Sequence, residues 1–241
     1  MATYKMIIKV GNREHNEDSA ACIESGNNYC FVVADGLGGH GKGEIASQKV
    51  VEVFKREFCA NPEHNEGFLN AAFSNAQSEI LALQRAHGDK LGMKTTVVCL
   101  SIINGMCQWG HIGDSRLYVF RKNKVSIRTL DHSVPQMLVL SGEIKEKHIA
   151  SHPDRNRLLR VMGIEWDSPR YEVSDEVPLV DCQAFLLCTD GFWELIDPKH
   201  MGKFLKKSKT VDEWLNLMTA EVEKNGQGQD MDNYTAIAVM N

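Results

Sequence analysis

The chain has 241 residues, of which 43% are hydrophobic and 24% charged, and a formal net charge of −5 at pH 7. That size and composition suit one globular domain spanning residues 1–241, and the acidic balance excludes a general nucleic-acid binder, whose phosphate contacts need a basic surface. The longest apolar run, residues 95–103, is far short of the ~20 residues that cross a bilayer, so no membrane partner is expected.

The first ten residues read as a strand with no secretory h-region. Residues 5–10, 19–24 and 29–34 are short β-prone runs separated by Gly, Asn and Asp. Two amphipathic helices follow, at 43–59 and 68–85, with apolar residues recurring at helical spacing. Residues 95–103 and 106–112 flank Asn104-Gly105, and 115–121 and 125–130 flank Lys122-Asn123, so two hairpins are expected. Consecutive hairpins imply antiparallel sheet, not strand-helix-strand alternation.

Residues 132–163 are polar and mixed, with a short helical piece, and read as a surface flap. A strand at 171–177, a strong one at 184–188, helices near 198–206 and 211–224, and a final strand at 234–240 complete the chain. The last helix opens on Thr210-x-x-Glu213, the spacing of a capping box. The order fits an α+β fold of two antiparallel sheets faced by helices. Seven cysteines, at 22, 30, 59, 99, 107, 182 and 188, form no C-x-x-C pair. Reduced thiols in a cytoplasmic protein are the expectation.

The glycine-rich stretch 35–43 contains Gly36, Gly38 and Gly41 at G-x-G-x-x-G spacing, and Gly36, Gly41 and Lys42 nearly match a P-loop. Neither nucleotide motif fits. No βαβ unit follows, Gly43 stands where a magnesium-binding Ser or Thr belongs, and a carboxylate ends the strand where phosphate would sit.

That carboxylate belongs to a set. Asp35, Asp114, Asp190 and Asp232 each stand at the edge of a strongly apolar strand, and Glu17-Asp18 precedes another. Two unpaired carboxylates ~4 Å apart repel by ~4 kcal/mol at an effective dielectric of about 20. A convergent cluster therefore calls for cations, and oxygen-only ligands suit Mg²⁺ or Mn²⁺ rather than zinc. Gly36 and Gly191 follow two of the aspartates, where a glycine lets a backbone carbonyl approach an ion. Arg13, five residues before Asp18, offers paired donors to phosphate oxygens.

In ordered blocks along nearly the whole chain these residues resemble the metal-dependent protein phosphatases of type 2C, in their bacterial form. The blocks are Arg13-x-x-Asn16-Glu17-Asp18, Asp35-Gly36-Leu37-Gly38-Gly39-His40, Thr95-Thr96-Val97-Val98, Gly113-Asp114-Ser115-Arg116, Asp131-His132-Ser133, His152-Pro153-x-x-Asn156, Thr189-Asp190-Gly191 and Asp232-Asn233. The resemblance implies an αββα sandwich with a flap at about 132–163 and a binuclear Mn²⁺ or Mg²⁺ centre between the sheets, with a weaker third metal site. It implies that Asp35 bridges two ions, that the Gly36 carbonyl, Asp190 and Asp232 complete the first site, and that Glu17 contributes to the second. Asp114 with Asp190 matches the third site, Asp18 an acid that orients water, and Arg13 the phosphate-binding arginine. The implied activity is hydrolysis of phosphoserine or phosphothreonine in proteins by a metal-activated water, opposing a serine/threonine kinase, in a protein taken as a monomer.

Three departures stand out. Leu37 replaces the histidine that many eukaryotic relatives have, which leaves the general acid open, with His40 three residues later. Lys94 stands where glycine is usual. His148 and His152 have i,i+4 spacing, but Pro153 makes a helix end the better reading than a zinc site. Two other functions compete: a non-catalytic regulatory module that binds phosphoproteins on the same fold, and a nucleotide binder resting on the glycine loop.

Overall fold

A computed structural model describes residues 2–38, 42–88 and 92–241. The strands are β1 (Thr3–Lys9), β2 (Asp18–Ser25), β3 (Asn28–Leu37), β4 (Lys94–Thr95), β5 (Val97–Ile103), β6 (Met106–Ile112), β7 (Arg116–Arg121), β8 (Lys124–Arg128), β9 (Glu172–Val173), β10 (Val177–Pro178), β11 (Ala184–Cys188) and β12 (Tyr234–Met240). The helices are α1 (Lys42–Ala60), α2 (Phe68–Ala86), α3 (Val134–Leu140), α4 (Asp190–Trp193), α5 (Pro198–Lys207) and α6 (Val211–Gly226).

The strands form two antiparallel sheets. One has the order β1-β12-β11-β7-β8; the other runs β10-β6-β5-β3-β2, with β4 on β3 and β9 on β6. Both sheets are buried on two faces, so their central strands are apolar throughout rather than alternating with polar residues. In β3, Phe31 and Val33 pack between the sheets with Leu100, Leu117, Phe185 and Ile237. Their neighbours Cys30, Val32 and Ala34 face α1 and α2, against Val50, Phe54 and Phe73. On the other sheet Phe120, Leu186 and Ala236 pack under α5 and α6, against Leu205, Trp214 and Met218. The result is the four-layer αββα sandwich.

Both tight turns take a left-handed backbone, which the sequence suggests at Asn104-Gly105 and which at Lys122 is unusual for the residue. Asn104 and Gly105 have φ of 52° and 76°, and Lys122 and Asn123 have 50° and 59°. In the capping box, Thr210 Oγ1 accepts from Glu213 N at 3.2 Å. Glu213 reaches back to Lys209 N rather than to the cap residue itself.

Three expectations need correction. The strand expected at 171–177 is two short pieces, β9 and β10, both paired with β6. Between them Ser174 takes over the pairing, its Oγ accepting from Trp109 N and its own N–H bonding the Trp109 carbonyl. The strand expected at 95–103 breaks at Thr96, whose N–H bonds Asp35 O. The glycine stretch expected to be a loop from residue 35 stays in β3 as far as Leu37.

Candidate functional site

Strand ends build the site. Asp18 opens β2 and is the direct cross-strand partner of Asp35 on β3, so two carboxylates share one face. Like charges directly opposite destabilise a sheet. Thr95 and Thr96 fix Asp35 from the next strand: Thr95 Oγ1 donates to Asp35 O at 2.7 Å, and Asp35 N donates to Thr96 Oγ1 at 3.1 Å. Thr96 Oγ1 then meets Ser115 Oγ at 2.7 Å, which ties the Asp35 strand to the turn that carries Asp114. Asp190 starts α4 two residues after the end of β11, and Asp232 lies two residues before the start of β12.

These side chains meet in one cleft of about 710 Å³, lined by Arg13, Glu17, Asp35, Gly36, Leu37, Asp114, Asp190, Asp232 and Asn233. Asp18 lies behind this wall: its Oδ2 accepts from Thr189 Oγ1 at 2.9 Å, while its Oδ1 is buried without a hydrogen-bond partner among the described atoms. His40 falls outside the described residues. Asn156 and Leu158, from the segment 132–163, also line the cleft.

The electrostatics are those of crowded acids. Burial, then repulsion from Asp190, Asp18, Asp114 and Asp232, raises Asp35 well above the usual carboxylate range. Burial and Asp190 do the same to Asp114. Asp190 is raised by burial and by Asp232, and a hydrogen bond with Asp35 opposes the shift. Asp18 and Glu17 are raised chiefly by burial. In each case burial, which disfavours the charged form, is the largest cause, and neighbouring carboxylates add to it.

Divalent cations fit this donor set. All the donors are hard oxygens, and among the described residues no salt bridge neutralises Glu17, Asp35, Asp114 or Asp190, while Asp232 has Arg13. No three of the cleft acids bring ligand atoms within 4.8 Å of one another; among the described residues only His111, His132 and Glu172 do so. Acids strung along a cleft suit hard ions that complete their coordination with water, as Mg²⁺ does.

The His111, His132 and Glu172 cluster is built differently. The two rings stack at 4.7 Å and 12°, so their in-plane lone pairs do not converge on one point. His111 Nε2 lies 2.8 Å from Leu130 O, Gly113 N donates to His132 Nδ1 at 3.2 Å, and Arg160 sits 3.1 Å from Glu172. It is a hydrogen-bonded brace with its own cation. It holds His132, at the start of the segment 132–163, to Gly113, next to Asp114. His152 likewise serves its loop, its Nδ1 accepting from Asp154 N at 3.1 Å.

Arg13 stands at the cleft mouth, half-exposed, and pairs with Asp232 through Nε at 3.0 Å and with Asp230 at 3.3 Å. Asn233 secures its loop. Asn233 Nδ2 donates to the Val10 and His15 carbonyls at 2.8 and 3.0 Å, and Asn233 Oδ1 accepts from Glu17 N at 2.8 Å. The Glu17 carboxylate accepts from the Gly43 N–H, next to the first residue of α1, where the helix dipole favours negative charge.

The glycines have a steric reason of their own. A Cβ on Gly36 would lie 2.4 Å from the Gly43 backbone, and one on Gly191 would lie 2.2 Å from Asn233 O. These positions are needed for backbone-on-backbone packing, whatever their carbonyls bind. Sequence reasoning also missed positioning by Asn233, Thr96 and Ser115. All three lie inside blocks quoted above, but polar side chains that bond backbone leave no periodic trace.

A family model described as protein phosphatase 2C matches residues 9–233. A serine/threonine phosphatase of Listeria monocytogenes is 31% identical over 234 residues, 94% of this chain and 90% of the relative. Among solved structures, serine/threonine phosphatase Stp1 from Staphylococcus aureus superposes with a TM-score of 0.87 at 26% identity, covering 100% of this chain and 95% of that one. The catalytic domain of phosphatase PstP, solved with two manganese ions, gives 0.82 at 26% identity, covering 99% and 97%.

Proposed function

The chain belongs to the protein phosphatase 2C family, and from that premise we propose that its cleft hydrolyses phosphoserine and phosphothreonine in proteins with divalent cations held by aspartates. It is a metal-dependent serine/threonine protein phosphatase of the bacterial type. The observation that carries the reading is the gathering of Glu17, Asp35, Asp114, Asp190 and Asp232 around one cleft with Arg13 at its mouth. A non-catalytic binding module on the same fold would have no use for a set of acids whose repulsion weakens the apo protein. A nucleotide binder would need a basic phosphate cradle instead.

Asp35, the Gly36 carbonyl, Asp190 and Asp232 would hold one ion, and Asp35 with Glu17 a second. Asp114 with Asp190 would hold a third, weaker one. When bound, such ions make water acidic enough to attack at neutral pH and offset charge on the phosphoryl oxygens. Mn²⁺ and Mg²⁺ both suit the oxygen donors. Arg13 orients the phosphate through its planar fork. Asp18, behind Asp35 and bonded by Thr189, is a positioning acid that would help orient the water such ions supply. Leu37 at the cleft wall offers no proton, so the leaving alcohol would take its proton from another donor, for which water on the bound ions is the candidate.

The chain is read as one phosphatase domain, with the segment 132–163 as a flap over the cleft. Asn156 and Leu158 on the cleft wall support that reading. Its substrates are phosphorylated proteins, which places it opposite a serine/threonine kinase. Seven free cysteines favour a reducing, cytoplasmic setting, and among the described residues no helix is long and apolar enough to cross a membrane. A monomer is taken as the working state.

The test is phosphate release from a phosphothreonine peptide with Mn²⁺, Mg²⁺ or EDTA, for wild type and Asp190→Asn. Metal-dependent turnover that collapses in the variant supports the mechanism. Folded wild-type protein with no turnover in either metal sinks it.

A further inference from the structure

The end of the sandwich remote from the cleft carries a second feature. A groove of about 640 Å³ runs between the β7–β8 turn and α5, lined by Lys122, Lys124, Lys199, Lys203 and Lys206 with Val125 on its floor. All five lysines are exposed, and among the described residues none forms an ion pair. Lys199, Lys203 and Lys206 fall at i, i+4 and i+7, on one face of α5. The nearest acid in sequence, Asp197, is engaged as the helix cap, its Oδ1 accepting from Lys199 N at 2.7 Å. A chain with net charge −5 therefore gathers five unpaired cations in one concave place.

Two of the five occupy positions that local physics disfavours. Lys122 has φ of 50°, a left-handed conformation that Gly, Asn or Asp adopts at lower cost in such a turn. Lys199 lies in the first turn of α5, where the helix dipole opposes positive charge. Helix stability accounts for Lys206 near the C-terminus but for neither of these. Their common feature is the groove they line.

The groove is also rigid. Asn123 N donates to Gln183 Oε1 at 2.7 Å, and Gln183 Nε2 donates back to Asn123 Oδ1 at 2.8 Å. A Cβ on Gly202 would lie 2.4 Å from Asn123 O, so helix and turn touch backbone to backbone. The walls are set before any ligand arrives.

We infer that this groove docks an acidic, Asp- and Glu-rich stretch of the phosphoprotein substrate, at a distance from the phosphorylated residue in the cleft. This inference rests on the phosphatase reading. β7 leads from Arg116, beside Asp114, to the turn at Lys122, so at about 3.3 Å per residue the groove lies roughly 25 Å from the cleft. About ten residues of extended substrate, allowing for a curved path, span that distance. Concavity with an apolar floor favours a peptide over a flat membrane, and an acidic protein with one short basic groove is poorly suited to a long polyanion.

The test uses two phosphothreonine peptides, identical around the phosphorylated residue. One carries a run of glutamates about ten residues away, the other glutamines in the same places. With wild type, the glutamate peptide is expected to show a KM about five- to tenfold lower at unchanged kcat, an advantage that fades with salt. In Lys199→Glu/Lys203→Glu the advantage disappears, while turnover of p-nitrophenyl phosphate stays at the wild-type level. Both lysines are exposed and Lys199→Glu favours the helix N-terminus, so the variant is expected to fold. Fluorescence anisotropy of a labelled, unphosphorylated glutamate peptide measures docking without catalysis. Equal KM values in wild type, or an advantage that survives charge reversal, would overturn the proposal. So would tighter binding of single-stranded DNA or phosphatidylglycerol vesicles than of the peptide. If wild type turns over no p-nitrophenyl phosphate, the phosphatase reading fails by itself, and anisotropy decides the groove.

Discussion

Arg13 grips Asp232 with two parallel hydrogen bonds, Nε to Oδ1 at 3.0 Å and a terminal nitrogen to Oδ2 at 3.1 Å. Both carboxylate oxygens are thus engaged by a guanidinium, and a cation held by Asp232 would have to compete with it. Removal of Arg13 is expected to act in two opposite directions. Arg13→Ala loses charge-assisted hydrogen bonds to phosphate, which at about 1.5–3 kcal/mol lowers kcat/KM by roughly 10–100-fold. The same variant is expected to reach half-activity at a lower Mn²⁺ concentration, because its competitor is gone. Kinetics across a Mn²⁺ titration read both effects. A variant needing more Mn²⁺ than wild type would show that Arg13 supports the ion site rather than competing with it. Stability is expected to change little, since the pair is half-exposed.

The close glycines separate steric from conformational effects. Gly191→Ala forces a Cβ to within 2.2 Å of Asn233 O, and Gly36→Ala to within 2.4 Å of the Gly43 backbone. Overpacking of this kind costs about 1–3 kcal/mol and shifts the backbone that carries Asp190 or Asp35. Gly26 has φ of 61° and nothing near its would-be Cβ, so Gly26→Ala is expected to cost about 1 kcal/mol and leave activity intact. Urea midpoints compared with turnover distinguish the two classes. Equal activity losses in all three would remove the steric argument.

Most of the architecture is legible in the sequence, because strands buried on both faces are continuous apolar runs and two-residue turns declare themselves at Asn104-Gly105 and Lys122-Asn123. The acids of the cleft are legible for a related reason: Asp35, Asp114, Asp190 and Asp232 interrupt or border those runs where a charge has no structural use. What stays hidden depends on contacts between segments distant in sequence. Ser174 replaces a backbone partner of Trp109, and Asn233 holds a loop more than 200 residues earlier. The stacking of His111 on His132 follows from a strand and a flap base that meet only in the fold.

Divalent cations are expected to stabilise the fold by relieving the repulsion among the cleft acids. At 100 times the dissociation constant, one bound ion contributes about 2.7 kcal/mol. For a chain of this size that raises Tm by roughly 5–10 °C. Because Asp35 and Asp114 hold protons more tightly than free carboxylates, binding is expected to release protons, measurable as a buffer-dependent enthalpy. Asp35→Asn is expected to lose most of the Tm shift. An unchanged shift in that variant would place the ion elsewhere.

Lys122 is expected to cost the protein stability in exchange for its charge. Its φ of 50° suits asparagine better, so Lys122→Asn should stabilise by about 0.5–1 kcal/mol and raise Tm by roughly 1–4 °C. A lower Tm would mean that the turn holds lysine for a packing reason.

His132 is expected to make the fold acid-sensitive. It is buried against His111, with Glu172 at 3.1 Å and Arg160 at 3.4 Å, and burial followed by repulsion from His111 pushes it down to about 4 from an ordinary value of 6.5. The folded state therefore holds a neutral ring while the unfolded chain takes up a proton. Its contribution is complete above pH 6.5, declines as pH falls below that, and is lost by about pH 4. The ceiling is about 3 kcal/mol. The cleft acids, whose values are raised, act in the opposite sense, so the informative quantity is the difference between wild type and His132→Gln in EDTA. Urea unfolding at pH 7 and pH 5 should show the gap between them narrowing on acidification. A gap that does not depend on pH would mean that folding leaves His132 unshifted, and a gap that widens on acidification would mean that Glu172 outweighs burial and His111 and holds it charged.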